Sequence, residues 1–96
     1  MLNNDKLYIL IDEKLSSGQK MAQSGHAIAQ FMIEHPGEWP NSTIVILDAP
    51  RPLIREAIHE GACGFQDSYF NTPRACAFLK PHPRISSEIP NLALAR

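Results

Sequence analysis

Two apolar, strand-like runs flanking one long helical stretch limit what this chain can fold into. Residues 6–11 (Lys-Leu-Tyr-Ile-Leu-Ile) and 43–47 (Thr-Ile-Val-Ile-Leu) are short, rich in β-branched and bulky apolar side chains, and lead into Asp12 and Asp48. Runs this continuous suit strands covered on both faces. Between them, helical periodicity begins at Ser16 and continues until His35-Pro36-Gly37, where proline and glycine stop it. Strand, helix and strand in this order form a βαβ unit, which predicts parallel strands in one sheet joined by a right-handed crossover.

A second helix is predicted over residues 52–60, with Leu53, Ile54, Ala57 and Ile58 facing inward, Asp48 in its cap region and Gly61 as its stop. Residues 63–66 form a third strand ending at Asp67, and residues 68–72 a polar and aromatic loop. Residues 73–79 form a fourth strand, antiparallel because only a short loop precedes it. A helical turn is expected at 86–89. With 96 residues and 44% hydrophobic content the chain supports one core rather than two. The expected fold is therefore a single α/β domain over 1–96: a small three-layer sandwich on a mixed four-stranded sheet, with helices on both faces.

Several function classes recede on composition. No run approaches the roughly 20 apolar residues that span a bilayer, and the opening residues lack the basic-then-apolar order of a signal peptide, so a cytoplasmic protein without membrane attachment is expected. Cys63 and Cys76 do not have the close spacing of metal ligands, and two reduced, buried thiols are the reading. A formal net charge of −1 gives no overall pull on nucleic acid. RNA contact would need a local patch, for which Arg51, Arg55, Arg74, Lys80, His82 and Arg84 are the candidates; the alternative is a scattered, solvated surface.

The first helix carries most of the functional signal. At about 100° per residue, Gln19, Gln23, His26 and Gln30 fall on one side, and Met21, Gly25, Ile28, Ala29 and Met32 on the other. The apolar set is expected to be buried and the polar set to form a ladder of hydrogen-bonding groups. Ser16 or Ser17 is the expected N-cap, and with Gly18 the first-turn amides offer a seat for a phosphate or an oxyanion. If the three acid-ended strands are parallel, Asp12, Asp48 and Asp67 lie at one sheet edge, where open α/β sheets bind ligands. Aspartate is also an ordinary turn residue after a strand, and neither a metal nor a cofactor is expected.

The run Gly18-Gln-Lys-Met-Ala-Gln-Ser-Gly-His-Ala27, following a strand and an acidic turn, resembles the signature of the archaeal and eukaryotic type of peptidyl-tRNA hydrolase, the second family of that enzyme. Gly18, Ala22, Gln23, His26 and Ala27 match its pattern, and the order of elements is similar over nearly the whole chain. The resemblance implies hydrolysis of the ester between a peptide and tRNA, a tRNA partner and a homodimer. Its catalytic lysine falls on Gln19, with Lys20 one place out of register, and its aspartate falls on Asp67. The family's threonine-containing loop is replaced by Asp67-Ser-Tyr-Phe-Asn-Thr72.

Ester hydrolysis by water needs a carboxylate to take a proton or orient the water, and donors facing the tetrahedral oxyanion. Asp67 fits the first role, and Lys20 with the first-turn amides fits the second, provided Lys20 swings back to Asp67. Gln23 orients and His26 lies beside it, giving Lys20, Asp67, Gln23 and His26 as the candidate catalytic set. Ser17, Gly18, Gln19, Gln30, Thr72 and Arg74 are the candidate binding residues. Two functions stay open: an ester hydrolase, or a non-catalytic relative that binds RNA, a nucleotide or a protein at the same edge.

Overall fold

A seven-residue strand, β1 (Lys6–Asp12), lies between neighbours of opposite sense in the computed structural model, which describes residues 6–96. On one side β2 (Thr43–Ala49) runs parallel to it, in register from Lys6 opposite Thr43 to Asp12 opposite Ala49. On the other side β4 (Ala75–Phe78) runs antiparallel, with Tyr8 opposite Phe78 and Ile11 opposite Ala75. Beyond it, β3 (Cys63–Gly64) pairs antiparallel with β4, so β3 points the same way as β1 and β2. The sheet is mixed and open, with order β2-β1-β4-β3.

The continuous apolar run of β1 fits this central position. Leu7, Ile9 and Ile11 share one core with Ala27 and Phe31 of α1 (Ser17–Glu34). Leu10 belongs to a second core with Leu53, Ile54 and Ala57 of α2 (Arg51–His59) and Ile85 of α3 (Pro83–Ser86). Successive strand side chains point to opposite faces, so β1 supplies both cores. Cys63 enters the first core and Cys76 the second. Burial pushes their thiols up to about 11 and about 12, the Glu34 carboxylate adding to the effect at Cys63. Neither is a thiolate nucleophile at neutral pH.

Local chemistry fixes the helix ends. Ser16 caps α1 through a reciprocal capping box with Gln19, and Gly37, at φ 80°, follows its end. Gly61 takes φ 112° just beyond α2, a conformation that favours glycine. The N-cap of α2 is Pro50, without a side-chain cap, so Asp48 is not a cap residue. Pro73 has no N–H to give a ladder, and β4 begins only at Ala75. The expected turn at 86–89 is displaced: Pro83 starts α3 under a His82 side-chain cap, and a 3₁₀ turn follows at Ile89–Asn91.

The inward face of α1 departs from the sequence pattern. Gln23, Ser24, Ala27 and Phe31 are buried, whereas Met21 is 75% exposed, Met32 is 38% exposed and Ile28 is half-buried. The buried stripe is rotated by roughly 130° from the apolar one, at 100° per residue. Asp67 at the sheet edge accepts from the buried Gln23 Nε2, and Phe31 packs into the core further along. A last feature has no signal in the sequence pattern. Asp48 N–H donates to Ala93 O, and Ala95 N–H to Ile46 O, both at 2.9 Å, so the chain's final segment covers part of the outer edge of β2. Among the described residues no helix is long and apolar enough to cross a membrane.

Candidate functional site at the sheet edge

Because β1, β2 and β3 run in the same direction, Asp12, Asp48 and Asp67 lie toward one edge of the sheet, where α1 begins. Each acid has a different partner. Asp12 is fully buried: Oδ1 accepts from Lys14 N–H at 2.9 Å, Oδ2 accepts from Arg74 Nη1 at 2.9 Å, and Arg51 Nε stands 3.8 Å from Oδ2. Asp48 pairs with Lys20, whose Nζ lies 2.7 Å from Oδ1. Asp67 Oδ2 accepts from Gln23 Nε2 at 2.9 Å and its Oδ1 accepts from Tyr69 N–H at 2.9 Å. Among the described residues no three His, Cys, Asp or Glu side chains gather closely enough to hold a metal ion.

The expected approach of Lys20 to Asp67 is therefore not made. Lys20 sits one position past the capping box, where helical geometry turns it toward the end of β2, and Asp48 captures it there. The side chains of this pair are 11% and 20% exposed, so the contact is only partly screened by water. Asp67 is instead held by neutral donors. The Tyr69 amide, then the Gln23 amide and the nearby His26, hold its carboxyl below the usual carboxylate range. At neutral pH it is ionised, an acceptor for a water or hydroxyl proton.

His26 is exposed, and its ring stacks on Phe65 with centres 4.4 Å apart and planes at 11°. Gln23 and His26, one helical turn apart, thus bracket the start of the loop after β3. Gln23 Oε1, Arg74 Nε and Asp48 Oδ1 are buried without a well-aligned hydrogen-bond partner, the last held by Lys20 as a close ion pair. Unmatched buried polar atoms are uncommon in folded proteins, and all three belong to residues at this edge.

The remaining candidates divide. Gln19 serves the helix end, its Oε1 accepting from Ser16 N–H and its own N–H donating to Ser16 Oγ. That bond uses one of the first-turn amides an oxyanion would need. Ser17 Oγ donates to Arg96 O at 3.4 Å. Gly18 is exposed, and a Cβ there would meet nothing within 4 Å, so no close approach demands glycine. Gln30 donates to Glu34 at 2.6 Å, more than a turn beyond His26. Thr72 is half-buried in the loop that leads to Arg74. The basic patch does not gather: Arg51 and Arg74 face Asp12, while His82 and Arg84 pair with Glu60 and Glu56 on the α2 side.

Two partners escaped the sequence reading. The pattern places Asp48 in a cap region and Phe65 in a strand, and neither placement points to Lys20 or His26 as its partner. No model of a known protein family matches this chain, and no curated protein matches it.

Proposed function

We propose that this domain acts at the end of an RNA as a peptidyl-tRNA-hydrolase-like protein, with Asp67 accepting the proton of the water that attacks the ester linking peptide to ribose. The observation that supports it is the hydrogen bond between Gln23 and Asp67, 44 positions apart in the chain, beside an exposed His26. These residues match the resemblance, and Asp67 is ionised at neutral pH and so can accept a proton, as a weaker base than an unperturbed aspartate. Gln23 fixes the carboxylate, since an amide gives and takes no proton near neutral pH. A tRNA partner belongs to the same proposal. So does a homodimer, supported by the apolar stripe that α1 leaves outside; a monomer mass by light scattering at micromolar concentration would remove the dimer.

One observation favours the second reading, binding without turnover. Lys20 is held by Asp48, and Gln19 occupies the lysine position of the resembling family, so no lysine faces Asp67. Incubation with a peptidyl-tRNA separates the two. Release of tRNA above background, lost in Asp67→Asn while the circular dichroism spectrum is unchanged, supports hydrolysis. If the natural protein releases none and Gln19→Lys creates none, while the tRNA still binds, the domain is a binding module.

A further inference from the structure

Tyr69 is the most exposed large hydrophobic residue among the described residues, at 79%, yet its loop is tied by hydrogen bonds. Its N–H donates to Asp67 Oδ1, Phe70 N–H donates to Asp67 O at 3.0 Å, and Gln66 Nε2 donates to Phe70 O at 2.8 Å. The Tyr69 ring stands edge-on to Phe70, with centres 5.0 Å apart and planes at 86°. Phe70 in turn lies under the Arg74 guanidinium, 4.5 Å from the ring centre, and Arg74 is anchored on Asp12. An aromatic ring is thus presented to water on a pre-organised support, and neither core includes it. On the other side of Asp67, His26 lies flat on Phe65 and is itself exposed.

We propose that Tyr69 and His26 form a stacking platform for unpaired bases at a single-stranded RNA end, flanking Asp67. This rests on the reading of the edge as a site for an RNA end. A flat, sequence-tolerant ring is what an unstacked base seeks, whereas paired bases in a duplex have their faces occupied. The residues around Tyr69, namely Asp67, Ser68 and Asn71, are polar, which disfavours a broad apolar protein contact. Two of the cations are committed, Lys20 to Asp48 and Arg74 to Asp12, which leaves the half-exposed Arg51 and the exposed Lys14 for phosphates. Few phosphates are therefore contacted, and stacking rather than counterion release carries the binding.

Anisotropy titration of a dye-labelled single-stranded hexaribonucleotide, beside its duplex form, tests this directly. The natural protein is expected to bind the single strand and not the duplex. Tyr69→Ala should weaken binding by about ten- to a hundredfold, the range of one lost base stack, while Tyr69→Phe keeps it. Raising salt from about 50 to 200 mM should cost only a few-fold in affinity, as one or two phosphate contacts imply. No binding by the natural protein, undiminished binding by Tyr69→Ala, or equal loss in Tyr69→Phe overturns the platform. Turnover of peptidyl-tRNA, measured in parallel, keeps the two proposals apart. Single-strand binding without turnover leaves the platform and removes the hydrolase; full turnover by Tyr69→Ala does the reverse.

Discussion

The two helices that cover the sheet do so with different chemistry. α2 buries Leu53, Ile54 and Ala57, the residues its amphipathic pattern nominates. α1 buries Gln23 and Ser24 beside Ala27 and Phe31, and leaves Met21 in water. On the α2 side, apolar area removed from water fixes the helix rotation. On the α1 side the rotation also satisfies Gln23–Asp67 and Lys20–Asp48, and part of the apolar stripe is forgone. α1 thus gives up hydrophobic burial to place polar side chains at the sheet edge.

The sharpest break of this contrast compares Ile54 with Met21. Ile54→Ala, at a fully buried position, should destabilise by about 3 kcal/mol in urea unfolding, whereas Met21→Ser should fall within about 0.5 kcal/mol. A destabilisation at Met21 as large as that at Ile54 would mean that α1 is rotated as its apolar pattern suggests.

Lys20→Met strands a largely buried carboxylate on Asp48 and should cost about 2 kcal/mol. Adding Asp48→Leu should recover much of that, because both charges are then gone. Additive losses in that cycle would show that the pair does not interact.

Gln23→Leu separates stability from function. It removes a donor from the ionised but partly exposed Asp67 and also removes an Oε1 that has no hydrogen-bond partner, so stability should fall by about 1 to 2 kcal/mol. Any hydrolysis or RNA-end binding should fall, because Asp67 loses its tie to α1. A variant that is much less stable, with its function intact, would make Gln23 a structural residue.

The smallest effect is a pH dependence. The folded-state value for Asp67 is lowered, so its contribution to stability is fully present above the ordinary aspartate value near 4 and is lost as the pH falls through the lowered value. Thermal melts from about pH 6 to pH 2 should show a component of the acid loss that Asp67→Asn lacks. Identical pH profiles for the two proteins would detach this carboxylate from its donors.

Much of this was legible in the residues. The apolar runs around a capped helix specify β1, α1 and β2, since continuous burial and strand–helix–strand order leave few topologies. Gly61 and Pro83 mark ends through backbone constraints that act locally. That Asp12 and Asp48 share an edge follows from the strand–helix–strand order, whereas Asp67 joins them through the pairing of β3 with β4. β3 is shorter than its pattern: beyond Gly64 only a long bond from Phe65 N–H to Ala75 O, at 3.4 Å, continues the ladder, while the Phe65 ring stacks on His26, a contact between residues far apart in the chain.

Residue pattern places the elements and their order, because propensity and capping act over a few residues. Which polar groups meet, and how they pair, was settled by packing. Lys20 meets Asp48 rather than Asp67, Gln23 goes inside while Met21 stays out, and the segment around Ala93 covers β2. The reason is that a helix can rotate about its axis at little local cost. Its final angle is set by the sum of contacts with a sheet whose partners lie tens of positions away in the chain.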